Sequence, residues 1–249
     1  MAAVALNKKG EILMKAKKVI ILSIVMVLLL GCGLGCGTAN ALWGKDLGEF
    51  RNIPFGTKYK KVDDLIHEDL AVQTVEKPHG VIAYGIDYDQ TRPIQTIVGV
   101  DLYGYTTDIV LYYKREPKKA YENKKEIEEG INDSILYSGQ YFIRSGSQNE
   151  LYNFFYEELK EKYGDDIPYE QITEDYIKVQ MSQDAKNAYW QSGGTDIILK
   201  IDDNYTRPLL NKTLQGVSII YSSREIQNQI SEEDQKLKEE AAESGYSGL

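Results

Sequence analysis

Lys15, Lys17 and Lys18 lead straight into an apolar run from Val19 to Leu30, which stops at Gly31-Cys32. A run of that length is too short to cross a bilayer, which takes roughly 20 apolar residues. Basic residues before it and small residues after it make it an export signal. The leader is thereby set apart from the folded body, which must be built from residues 42–249.

Two processing sites lie close together. Leu29-Leu30-Gly31-Cys32 has the order of a bacterial lipobox, in which the thiol of Cys32 takes a diacylglyceryl group and becomes the new N-terminus. Ala39-Asn40-Ala41 has the small-x-small pattern of ordinary signal cleavage, giving a soluble chain from Leu42. Cys32 abuts the apolar run and Ala41 lies far beyond it, so lipidation at Cys32 is expected, with cleavage after Ala41 as the alternative. On that alternative Cys32 and Cys36 are small residues of a discarded leader. Met14 opens a shorter signal of ordinary form, which makes the first thirteen residues dispensable.

Residues 42–249 hold no cysteine, so the body has no disulfide and depends on its core, although the compartment would permit one. Removing the five lysines and one glutamate of residues 1–41 leaves 24 basic and 37 acidic side chains, a net charge of −13. Such a surface repels nucleic acid and anionic headgroups, so no nucleic-acid partner is expected, and membrane contact is expected only through the lipid anchor.

Thr57 is placed to cap a helix over 58–70, with Tyr59, Val62, Leu65, Ile66 and Leu70 on one face and Lys60, Lys61, Asp63, Asp64 and Glu68 on the other. Val81–Tyr88, Ile94–Tyr105, Asp108–Tyr113 and Ile135–Ile143 are rich in β-branched residues and tyrosine and read as strands. Pro117 opens a charged, largely solvated helix over 118–129. Ser147 and Glu150 form a capping box ahead of a second amphipathic helix. Its apolar face is Leu151, Phe154, Phe155, Leu159 and Tyr163, and Gly164 ends it. Lys186–Gln191, the turn Ser192-Gly193-Gly194 and Thr195–Ile201 read as a hairpin, and Gly216–Ser222 closes the sheet. From Ser231 the chain is mostly charged, with Leu237 nearly alone as an apolar anchor, so it reads as a solvated helix or tail.

The fold class is α+β: an antiparallel sheet packed by two amphipathic helices. An internal echo adds a tandem duplication to that expectation. Thr91-Arg92-Pro93 recurs as Thr206-Arg207-Pro208, and Thr96–Val100 as Thr213–Val217, at a period of about 115 residues. The expected division is a signal and processing region over 1–41, helix-plus-sheet halves over 42–143 and 144–225, and a charged helix or tail over 226–249.

Trp43-Gly44, Pro54-Phe55-Gly56-Thr57 opening a helix, Leu159-x-x-x-Tyr163-Gly164, Trp190, Thr195-x-Ile197-x-Leu199 and Ile220-Tyr221 form a layout that resembles uncharacterised exported bacterial proteins. The opening is also similar to the envelope-assembly lipoproteins of the SmpA/OmlA type and to the β-lactamase-inhibitor-protein fold. That resemblance implies a binding or accessory role in the cell envelope and carries over no catalytic residue. The chain departs from the small assembly lipoproteins in being about twice as long.

Catalytic signatures are scarce. His67 and His79 are twelve residues apart, without the i, i+4 spacing of a zinc hydrolase, and no Gly-x-Ser-x-Gly elbow, phosphate loop or dinucleotide pattern occurs. No catalytic, cofactor-binding or metal-binding residue is therefore assigned, and no cofactor is expected. Asp87, Asp89, Asp101, Asp202 and Asp203 leave a carboxylate-dependent glycan hydrolase as the alternative, testable by whether two buried carboxylates face one cleft. Asp202-Asp203-Asn204 lacks the glycine and terminal glutamate of a calcium loop. The sequons at Asn132, Asn204 and Asn211 matter only in a eukaryotic pathway, against which the lipobox argues.

Nineteen tyrosines against five phenylalanines favour rings with a polar end. Tyr84, Tyr88, Tyr103, Tyr105, Tyr113, Tyr137 and Tyr141 fall mostly in strands, and a tyrosine-lined sheet face is the candidate binding surface. The expected partner is an envelope protein or a glycan, and the expected function is that of an exported binding or accessory module.

Overall fold

The computed structural model describes residues 46–73, 80–81, 94–102, 104–115, 124–144, 146–181, 186–207 and 212–243. Cys32, Cys36, Ala41, His79, Asp87, Asp89, Tyr84, Tyr88, Tyr103, Asn211 and the first Thr-Arg-Pro lie outside them.

A short hairpin, β1 (Glu49–Phe50) and β2 (Ile53–Pro54), precedes helix α1 (Tyr59–Gln73). Strands β3 (Gly80–Val81), β4 (Ile94–Leu102) and β5 (Tyr105–Lys114), helix α2 (Lys124–Asp133) and strand β6 (Ile135–Arg144) follow. Helix α3 (Gln148–Tyr163) leads through a 3-10 turn (Tyr169–Gln171) and the short α4 (Asp175–Gln180) to β7 (Asn187–Ser192), β8 (Thr195–Arg207), β9 (Lys212–Ser223) and α5 (Arg224–Glu243). The expected α+β class is what forms. The main sheet runs β3-β4-β5-β6-β9-β8-β7 with every neighbour antiparallel, and Thr38–Leu249 is one compact unit.

Strand alternation divides the sheet into two unlike faces. On one face Ile97, Ile109 and Leu111 pack with Tyr59, Val62 and Ile66 of α1. Trp190, Ile197, Leu199, Val217 and Ile219 pack on that face with Leu151, Tyr152 and Leu159 of α3. The opposite face carries Ser138, Gln140, Ser218 and Ser222 in the middle of β6 and β9. Ile172, Ile177 and Met181 cover its β7–β8 end by packing on Tyr189, Ile198 and Ile220.

The N-terminal arm runs over the helical face. Asp46 lies over the β7–β8 turn and accepts a hydrogen bond from the Gly194 amide at 3.2 Å. That approach and the positive φ of Gly193 explain the glycine pair, since a side chain at Gly194 would run into the Asp46 backbone. At the tip of the β1–β2 hairpin Arg51 and Asn52 both have positive φ, which is costly for arginine. The buried Arg51 guanidinium offsets that strain by donating to Asp69 of α1 at 2.6 Å and to the Tyr141 hydroxyl at 3.2 Å.

Several local expectations are corrected. Thr57 does not cap α1: its hydroxyl donates to the Pro54 carbonyl at 2.6 Å, closing the preceding turn. Ser147 makes no side-chain capping bond to α3. Gly164 does end α3 with positive φ, its amide donating to the Lys160 carbonyl at 2.9 Å. Helix α2 extends to Asp133, four residues beyond the expected end, because Ile131 anchors it in the core. Helix α5 begins at Arg224, directly after β9, and is held by buried Ile226 and Ile230, whereas Leu237 is exposed.

The echo does not mark equivalent places. Thr96–Val100 lies in β4, toward one edge of the sheet, whereas Thr213–Val217 lies in the inner strand β9. A duplication is therefore not shown by it. In chain order α1 is followed by β3, β4, β5, α2 and β6, and α3 by α4, β7, β8 and β9, with β6 and β9 paired at the seam.

Candidate functional site

The polar face of the sheet holds a cavity of about 480 Å³, lined by Tyr112, Tyr137, Ser138, Gln140, Gln180, Lys200, Asp202, Asn204, Tyr205, Ile220 and Gln227. Its volume is in the range of small-molecule sites, roughly 300–1,000 Å³. The floor comes from β5, β6, β9 and β8, while Gln180 at the end of α4 and Gln227 in the first turn of α5 stand at its sides. The floor residues Tyr112, Ser138, Gln140, Lys200 and Asp202 lie on the face opposite α1 and α3, and the short side chain of Ser138 is among those that border the space.

A hydrogen-bond chain crosses these four strands. The Tyr112 hydroxyl donates to Gln140 Oε1 at 2.8 Å, Gln140 Nε2 donates to Ser218 Oγ at 2.9 Å, and Ser218 donates to Asp202 Oδ2 at 3.0 Å. Every member has its direction set by the next, which holds the Gln140 carboxamide in one orientation. Lys200 stands 4.0 Å from Asp202, and its ammonium also reaches the Gln180 carbonyl at 3.5 Å. The Tyr112 phenol is pushed well above the ordinary tyrosine range, first by burial and then by Tyr205, Tyr137 and Asp202. The rings of Tyr112 and Tyr137 are 6.4 Å apart and inclined at 47°, and Tyr205 stacks on Phe142 at 3.8 Å.

Of the tyrosines singled out in the sequence that lie among the described residues, Tyr137 alone lines this cavity. Tyr113 is buried on the other face, its hydroxyl donating to Gln95 Oε1 at 2.8 Å. Tyr141 lies beneath the β1–β2 hairpin and Tyr105 packs toward α3. Tyr112 and Tyr205 line it as well, and nothing local in the sequence sets them apart from the other tyrosines. The usable signal was Ser138 and Gln140 at alternate positions inside an otherwise apolar strand.

The carboxylates separate as well. Asp202 lines the cavity, whereas the neighbouring Asp203 is exposed and accepts from Gln148 Nε2 of α3 at 2.8 Å, so the pair does not converge on an ion. Among the described residues no group of three or more ligating side chains could hold a metal.

Among the described residues, two fully buried carboxylates lie outside the cavity. Asp196 accepts from Tyr176, from Tyr189 at 2.8 Å and from Arg224 Nε at 3.0 Å. Asp108 accepts from the Gly99 amide at 2.9 Å and from Arg144 at 3.2 Å. Both are held by arginine and join secondary-structure elements to one another.

Among the described residues no helix is long and apolar enough to cross a membrane. The chain matches no protein-family model, no curated protein and no solved structure.

Proposed function

We propose that this chain is an exported binding module of the cell envelope, tethered through Cys32, which holds its ligand in the cavity on the polar face of the sheet. The observation that carries this reading is the cavity itself. A sheet face that leaves about 480 Å³ open over an ordered line of hydrogen-bonding side chains offers room and polar partners for a ligand, which supports this reading. The leader supports the compartment, and the acidic surface argues for a ligand that is neither nucleic acid nor an anionic bilayer.

The hydrolase alternative draws no support from the lining. Glycoside cleavage ordinarily uses a pair of carboxylates across the substrate. Among the described residues that line the cavity there is one, Asp202, already engaged by Ser218 and facing Lys200.

The test is a thermal-shift series on the purified protein with chitotetraose, maltotetraose, N-acetyl-trialanine amide and phosphocholine. At least one probe should raise the Tm of the wild type and leave that of Gln227→Trp unmoved, because tryptophan at this half-buried rim position fills the cavity. No shift with any probe, or equal shifts in the two proteins, overturns the reading.

A further inference from the structure

We infer that the cavity takes a neutral, hydroxyl-rich segment of a glycan. The inference rests on the cavity being the ligand site proposed above, and four features of its lining specify the ligand class.

The first is charge balance. Lys200 and Asp202 face one another at 4.0 Å, and among the described residues every other lining group is uncharged at neutral pH. A phosphate or carboxylate would meet Asp202 with a single ammonium to offset it, and an amine would meet Lys200. A neutral ligand meets neither penalty.

The second is the direction of the hydrogen-bond chain. Tyr112 commits its proton to Gln140, so toward the cavity its oxygen offers lone pairs and calls for a donor. Lys200 offers N–H groups and calls for an acceptor. One functional group that both donates and accepts, repeated along a short segment, is the hydroxyl.

The third is the carboxamides. Gln140, Gln180, Asn204 and Gln227 come from four different elements and surround one space. Gln180, Asn204 and Gln227 each carry a donor and an acceptor side by side, matching vicinal hydroxyls, while Gln140 has its oxygen and nitrogen already engaged by Tyr112 and Ser218 and orders the floor beneath them.

The fourth is the aromatic surface. The Tyr112 and Tyr137 rings open as a wedge at 47°, and Tyr205 is stiffened by its stack on Phe142. Flat rings of this kind pack against the C–H face of a pyranose while the ring hydroxyls bond at its edge.

Side-chain amide NMR with isothermal titration tests this on the full-length protein, with the same four probes. Chitotetraose or maltotetraose should move the side-chain amide signals of Gln140, Gln227 and Asn204. Tyr112→Phe should weaken binding about tenfold, the loss of one well-placed hydrogen bond. The rim variants Asn204→Ala and Gln227→Ala, at positions that are not core, should each weaken it several-fold with the Tm unchanged. If neither sugar moves these signals but the peptide or phosphocholine does, the ligand class is overturned and the site stands. If no probe moves them, both readings fail. Sugar binding that survives all three substitutions places the ligand elsewhere and also overturns the inference.

Discussion

Phe50 lies on Gly139: a methyl group added at residue 139 would come within 2.7 Å of three Phe50 ring carbons. The ring fills the space left by the missing side chain, between Tyr141 at 4.9 Å and Tyr221 at 5.9 Å, and is itself 1% exposed. This contact plugs the β1–β2 hairpin into the centre of the sheet. Gly139→Ala should therefore destabilise the protein by about 1–3 kcal/mol through overpacking, and Phe50→Ala by about 3–5 kcal/mol through a cavity. In the double variant the alanine methyl occupies part of the vacated space, so the two costs should sum to less than their separate values in urea melts. Strict additivity would show that the residues do not compete for one volume.

Leu159 is 2% exposed on α3, in one cluster with Leu151, Trp190 and Leu199. Leu159→Ala should cost about 2–5 kcal/mol, read as a lower denaturation midpoint. An unchanged midpoint would mean that α3 contributes little to the core.

The asymmetry between what the sequence predicted and what it missed has a physical source. Leu151 and Leu159 recur at helical spacing, and Ile135–Ile143 is rich in isoleucine and tyrosine, so both elements follow from the local sequence alone. Caps failed because Thr57 and Ser147 had competing local bonds or geometry that composition does not disclose. The cavity was hidden for another reason. Tyr112, Gln140, Ser218 and Asp202 meet only through strand register, which pairs β6 with the distant β9. The Ile226 and Ile230 anchors of α5 lie just ahead of the charge-rich run that begins at Ser231, and two apolar residues are too few to mark an amphipathic face.

Asp196 ties the α4 and α5 regions to the sheet, and its side chain is fully buried while that of Arg224 is 29% exposed. Removing the carboxylate by Asp196→Ala leaves two phenols and a guanidinium without their acceptor. The expected cost is about 3 kcal/mol, at the low end for a buried pair because Arg224 still reaches water. Thermal unfolding of this variant beside Asp203→Ala, an exposed position, measures it. Equal Tm values for the two would refute the assignment.

Alkali should loosen the fold. Burial is the leading cause that holds the phenols of Tyr112, Tyr113, Tyr152, Tyr176 and Tyr189 above the ordinary range. Tyrosine in the unfolded chain loses its proton near pH 10, so above that pH the folded state binds more protons than the unfolded one. Stability from these groups is complete below about pH 10 and is lost as pH rises toward their folded values. Phenolate absorbance should show an early, reversible set of tyrosines and a late set that ionises only with unfolding. A single transition near pH 10 with the fold intact would contradict this.

Cys32→Ser tests the tether. The wild type should carry a diacylglyceryl mass and partition into detergent, because two or three acyl chains hold where one binds marginally. The serine variant should lose that mass and either remain a precursor or be cleaved after Ala41. Wild-type protein recovered unmodified and beginning at Leu42 would sink the lipid anchor while leaving export in place.

The seam between β6 and β9 has a consequence for synthesis. Strand β6 finds its first neighbour, β5, close by in the chain, but its second is residues 212–223, far toward the C-terminus. Until that late segment arrives, a growing or truncated chain presents Ile135–Arg144 as an open hydrogen-bonding edge, the kind of surface on which chains aggregate. Completing the last strand therefore closes the polypeptide against its own copies, and products that stop short of β9 should be recovered as insoluble material.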